Sequence, residues 1–144
     1  MTKNLGALLI LFVSLTGVAR SAETVPSMVG VWKGVGVGPM SGSDLHTRDH
    51  ENTGVRVNEI SVTYTIDKQE GRHFTGTKTT PLHKETILGS LRPNLRSGIM
   101  VDDDGYVSFD IVDDHRIDLC YAHTGPHLTS KIAHCYTVMR ETGK

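Results

Sequence analysis

A chain of 144 residues with two cysteines and a formal net charge of −1 is one domain's worth of sequence. The near-neutral balance excludes nucleic acid and anionic membrane as main partners, because both select a basic surface.

In chain order, Lys3 precedes the apolar run Leu5 to Val18 (LGALLILFVSLTGV), and the small-residue segment Ala19-Arg20-Ser21-Ala22 follows. This order predicts a secretory signal peptide over residues 1–22 and a single domain over 23–144. As a helix the run spans about 21 Å, short of the ~30 Å hydrocarbon core, so no membrane association is expected after cleavage. Cleavage after Ala19 or after Ala22 satisfies the small-residue rule, and no cysteine stands nearby to carry a lipid. Loss of Lys3 and Arg20 takes the net charge from −1 to −3. The expected location is periplasmic or secreted, where two cysteines tend to pair.

Val29 to Val37 (VGVWKGVGV) reads as the first strand, with Trp32, Gly30, Gly34 and Gly36 on one face. Glycines inside a strand mark bends or close backbone approach. A phosphate loop is excluded, because no third glycine, no Lys-Ser/Thr and no helix follow at the required spacing. Gly38 to Gly54 lacks periodicity and is expected to be a long loop, suited to a lid or a partner contact. Arg56 to Asp67 is a strand with Ile60, Val62, Tyr64 and Ile66 in one row. Val55 and Val57 are out of phase with that row, which predicts a bulge near Asn58. His73 to Thr80, Lys84 to Leu91, Ser97 to Val101 and Tyr106 to Val112 are further strands, separated by turns at 68–72, Pro93-Asn94 and Asp102-Asp103-Asp104-Gly105.

The last two strands, Arg116 to Arg140, hold both cysteines. If Cys120 faces Cys135, then Ile117 opposes Val138, Leu119 opposes Tyr136 and Tyr121 opposes His134. Both apolar rows then share one side and the cysteines the other, whereas a one-residue slip would invert every side chain. A disulfide there contributes about 3 kcal/mol in the chain-entropy model. Free thiols or a metal pair are the alternatives, although Cys-x14-Cys matches no zinc pattern. Eight strands with regular turns and no helix predict an all-β, eight-stranded antiparallel up-and-down barrel carrying the disulfide Cys120–Cys135.

Three short matches add to this layout. Gly30-Val31-Trp32 on the first strand, Arg140 at the end of the last, and Phe74-Thr75-Gly76-Thr77 together resemble the calycin group of lipocalin-like and avidin-like barrels. The resemblance implies the barrel and a packing of Arg140 on Trp32. The chain has a single Trp, and the biotin-contacting residues of avidins are not traceable beyond the tetrapeptide. The fold is therefore what the resemblance implies, and fold alone does not give function.

Candidate chemistry is sparse. His134, opposite Tyr121 and beside Tyr136, would form a polar cluster inside a barrel, able to orient a ligand or hold a haem iron. The bland alternative is a buried histidine satisfied by a tyrosine hydroxyl or a water. His46, Asp49 and His50 have metal-ligand types, with His123 and His127 able to join them, but a loop context and the lack of HExxH favour a hydrated loop. Asp102 to Asp104 lack the calcium-loop spacing and read as a charged turn. No nucleophile elbow and no catalytic constellation are legible. The expected function is small-ligand binding in the interior, lined by Trp32, Tyr64, Tyr121, His134 and Tyr136, with no cofactor, no metal and no catalysis. The alternative is a barrel with a filled interior that binds a protein partner, similar to the small periplasmic inhibitors of proteases or lysozyme.

Overall fold

Period-two alternation sets every described element. The computed structural model describes residues 24–42, 54–123 and 130–142. Eight strands follow in order: β1 (Gly30–Gly42), β2 (Arg56–Glu70), β3 (His73–Thr79), β4 (Lys84–Leu91), β5 (Ser97–Val101), β6 (Gly105–Asp113), β7 (Arg116–His123) and β8 (Ser130–Arg140). Each pairs antiparallel with its sequence neighbour, and β8 pairs back with β1 to close the barrel. Closure leaves no sheet edge. The expected signal segment and the side chains of His46, Asp49, His50 and His127 lie outside the described residues.

The β7–β8 register is the one the apolar rows predict. Cys120 pairs with Cys135, Ile117 with Val138, Leu119 with Tyr136 and Tyr121 with His134. The disulfide forms on the exposed outer wall, while Ile117, Leu119, Tyr121, His134 and Val138 are buried.

Two local expectations are corrected. The first strand does not stop at Val37: β1 continues to Gly42, because β2 (Pro39↔Val57) and β8 (Met40↔Ile132, Gly42↔Ser130) flank it on both sides. The residues that broke the apolar alternation, Gly38 and Pro39, are therefore strand, and pairing on both sides overrides their weak intrinsic preference. No bulge occurs near Asn58, where β1 and β2 stay in register. Val55 and Val57 are simply exposed, at 83% and 75%. The register shift on β2 lies instead between Ile66 and Lys68, opposite β3.

Inward glycines are numerous, and aromatic rings occupy the space they leave. A Cβ on Gly36 would come within 3.1 Å of both the His134 and Tyr136 rings. Gly89 accommodates Phe74, Gly98 accommodates Phe109, and Gly105 accommodates Tyr121 in the same way. Knob-and-hole pairing of this kind fills much of the interior.

The two ends of the barrel differ. The chain before β1 crosses one end and seals it. Met28 is 1% exposed there, its carbonyl accepts the Trp32 Nε1–H at 2.9 Å, and its N–H donates to Gln69 at 2.7 Å. The Arg140 guanidinium lies 4.1 Å over the Trp32 ring and donates to the carbonyls of Ser27, Val29 and Asp114. At the other end lie the β3–β4 and β5–β6 turns with the described ends of β1, β2, β7 and β8, and it is polar.

Candidate binding site at the barrel mouth

Inward alternation carries charge into the polar end. On β3 the row Phe74, Gly76, Lys78 points inward, and on β4 the row Glu85, Ile87, Gly89, Leu91 does the same. Lys78 and Glu85 consequently meet inside the wall, Nζ to carboxylate at 2.8 Å, with side chains only 4% and 2% exposed. Asp102, at the start of the β5–β6 turn, places one oxygen on Lys78 and the other on the Gly105 N–H at 2.6 Å. The ammonium also lies 4.3 Å from the centre of the Tyr121 ring. Two carboxylates and an aromatic face thus compensate one buried cation, as burial of a charge requires.

A second chain of polar groups adjoins the first. Tyr121 donates its hydroxyl to Asp104 Oδ1 at 3.0 Å. Asp104 Oδ2 lies 3.2 Å from His123 Nδ1, and His123 Nε2 lies 3.0 Å from Ser130 Oγ. His123 and Ser130 are buried, at 3% and 4% exposure.

Beside these groups is a pocket lined by Asn58, Ile60, Val62, Lys78, Thr80, Tyr121, Ile132, His134 and Tyr136. Beneath this lining Tyr64 meets Tyr136, their hydroxyls 2.9 Å apart. Burial, reinforced by the charge of Asp102, raises all three phenols above their ordinary value. Tyr136 is pushed up to about 12, and Tyr64 and Tyr121 are also raised, with burial the largest cause in each. All three therefore stand as neutral hydrogen-bonding groups at physiological pH. The enclosed space in this pocket is about 20 Å³, room for about one water-sized occupant.

Of the five side chains expected to line a ligand site, Tyr121, His134 and Tyr136 border this pocket and Tyr64 lies beneath it. Trp32 is at the opposite, sealed end, bordering a void of about 10 Å³ with Tyr64 and Met100. The sequence does not single out Lys78, Glu85 or Ser130; it offers His123 only as a partner of the His46–His50 loop, and Asp104 only as part of a charged turn. The signal for the first two was present, since Phe74 and Ile87 fix the inward phase of their strands. Asp104 comes from the β5–β6 turn and His123 and Ser130 from the facing ends of β7 and β8, and no spacing rule brings them together.

A divalent metal has a donor set in Glu85, Asp102 and Asp104, but Lys78 already supplies the positive charge among them. No family model matches the chain, and neither a curated protein nor a solved structure matches it.

Proposed function

We propose that the protein is an exported calycin-like barrel that binds a small ligand at its polar mouth. The observation that carries this reading is the pocket itself: a ring of Asn58, Lys78, Thr80, Tyr121, His134 and Tyr136 around an apolar floor of Ile60, Val62 and Ile132. Convergent polar groups over an apolar base are the ordinary makeup of a small-molecule site. The enclosed space of about 20 Å³ is far below the roughly 300–1,000 Å³ that takes a drug-sized molecule. The guest is therefore about one or two heavy atoms in size, or a larger molecule that inserts one small group and leaves the rest outside. Export is supported by the leader-like residues 1–22 and by a paired disulfide, a bond favoured in oxidising compartments.

The test is native mass spectrometry of the protein purified from its own periplasm or secretions, beside its denatured mass and the Ile60→Trp variant. An adduct lost on denaturation and missing from Ile60→Trp supports the reading; an adduct that persists in the variant overturns the mouth as its location.

A second reading, a protein-binding barrel, is favoured by one feature of the outer wall. Leu88, Val101 and Tyr106 are directly paired across β4, β5 and β6 and are 56%, 42% and 52% exposed. Under this reading the filled interior is only a scaffold, the native protein carries no small adduct, and a partner co-purifies with it until Tyr106→Asp releases it.

A further inference from the structure

The Asp104–His123–Ser130 chain has a use beyond holding a ligand. We propose that Ser130 is an activated nucleophile, with His123 as its general base and Asp104 as the residue that positions the base. The roles follow from which atoms meet. Ser130 Oγ is 3.0 Å from His123 Nε2, within proton-transfer reach. His123 Nδ1 lies 3.2 Å from Asp104 Oδ2 and 3.3 Å from the Tyr121 hydroxyl oxygen; an Nδ1–H facing these two oxygens leaves Nε2 with its lone pair toward the serine. The carboxylate is held in turn by the Tyr121 hydroxyl at 3.0 Å. Nucleophile, base and an orienting third group, each within hydrogen-bond reach of the next, make up the signature of nucleophilic catalysis on any fold.

The chain also has an internal contrast. Ser90 Oγ is 3.2 Å from His73 Nδ1, a serine–histidine contact of similar length on the outer wall. His73 makes no ion pair with a carboxylate among the described residues, so that pair lacks the orienting member.

The substrate class is a small acyl ester. Tyr121 and Ile132, the latter one inward position from Ser130 on β8, both border the mouth pocket, whose space of about 20 Å³ takes at most the methyl end of an acetyl group. In the reaction, Ser130 Oγ bonds to the carbonyl carbon while its proton passes to His123 Nε2. The bond to the leaving alcohol then breaks, and His123 returns the proton to that oxygen. Water repeats the sequence on the acyl-serine, releasing the carboxylic acid and restoring the hydroxyl.

The experiment uses the full mature chain, a fluorophosphonate probe and p-nitrophenyl acetate, with the modified residue located by peptide mass mapping. The expected result is one probe per chain, on Ser130 and not on Ser90, with fluoride leaving. Ester turnover should fall about 100-fold or more in His123→Gln, the usual scale for loss of a general base. Ser130→Ala should abolish labelling. Asp104→Asn should slow acylation while Asp104→Glu restores most of it, a rescue that a merely structural carboxylate would not show. The intact disulfide and the far-ultraviolet spectrum establish folding for each variant. No labelling of folded wild type, or equal labelling of Ser130 and Ser90, overturns the proposal.

Discussion

The two ends of this barrel solve opposite problems with the same alternation of side chains. At the sealed end, Trp32 is 2% exposed and Met28 closes over it, with Arg140 stacked outside and its hydrogen bonds spent on backbone carbonyls. The Met28 N–H, the Trp32 indole N–H and the Arg140 guanidinium each have an acceptor there. At the mouth, Lys78, Glu85 and Asp102 are buried together, an arrangement that is often no more stable than an apolar packing of the same volume. Stability alone gives no reason to carry charge into a wall that could have been apolar. The difference teaches that the sealed end builds the fold and the mouth is where a function would be housed.

Substitutions at the two ends separate these roles. Trp32→Ala should lose about 3–5 kcal/mol, the usual cost of truncating a buried large aromatic, and no second change at the mouth should restore it. Lys78→Met should lose a comparable 3–5 kcal/mol, because Glu85 and Asp102 are left buried without their cation. Here the loss should be largely recovered by adding Glu85→Gln and Asp102→Asn. Urea midpoints measure both. If the triple variant is no more stable than Lys78→Met, the mouth is held by packing, and the contrast between the ends fails.

The disulfide sits on the outer wall midway along the β7–β8 ladder and should serve both ends alike. Cys120→Ala with Cys135→Ala should cost about 3 kcal/mol by loss of the loop constraint. Hydrogen exchange should speed up at the mouth and at the sealed end together; a change confined to one end would show that the ends unfold separately.

Alkaline pH should probe the mouth. Burial favours the neutral Tyr136 phenol and holds it at about 12, against about 10 in the unfolded chain. Its contribution is therefore complete below pH 10 and is lost as pH climbs from 10 to 12, about 2–3 kcal/mol in all. Tyr136→Phe should flatten that part of the stability curve. The smallest effect belongs to the outer wall, where hydrogen bonds from Thr137 (2.6 Å) and Arg116 hold the Asp118 carboxyl below its ordinary value. That support is present above the ordinary carboxylate range and goes as pH falls through the depressed value. Thr137→Val should move the Asp118 titration upward, read from its side-chain carboxyl carbon signal.

How legible each end was follows from the physics each obeys. The barrel, its eight strands and the β7–β8 register were readable, because one-sided burial writes a period of two into the sequence. Gly38 and Pro39 hid the end of β1, since pairing with two neighbouring strands, not side-chain pattern, keeps them extended. Exposed Val57 misled for the opposite reason, as an apolar residue on the outer wall mimics a change of phase. At the mouth, Lys78 and Glu85 sat in phase with Phe74 and Ile87, yet charged residues inside a strand are by habit taken as outward-facing. The meeting of Asp104, His123 and Ser130 was beyond reach, because it depends on how the β5–β6 turn and the facing ends of β7 and β8 come together at one end of a closed sheet.

The central claim, that binding is confined to the mouth of a filled barrel, is tested most directly by amide and indole NMR correlation spectra. These would be recorded while acetamide, isobutanol and phenol are titrated into the protein. The account predicts saturable shifts at Asn58, Thr80, Tyr121, Ile132, His134 and Tyr136, with the Trp32 indole signal unmoved. Shifts that reach Trp32 and Met28, or that appear only on the outer wall, would contradict it.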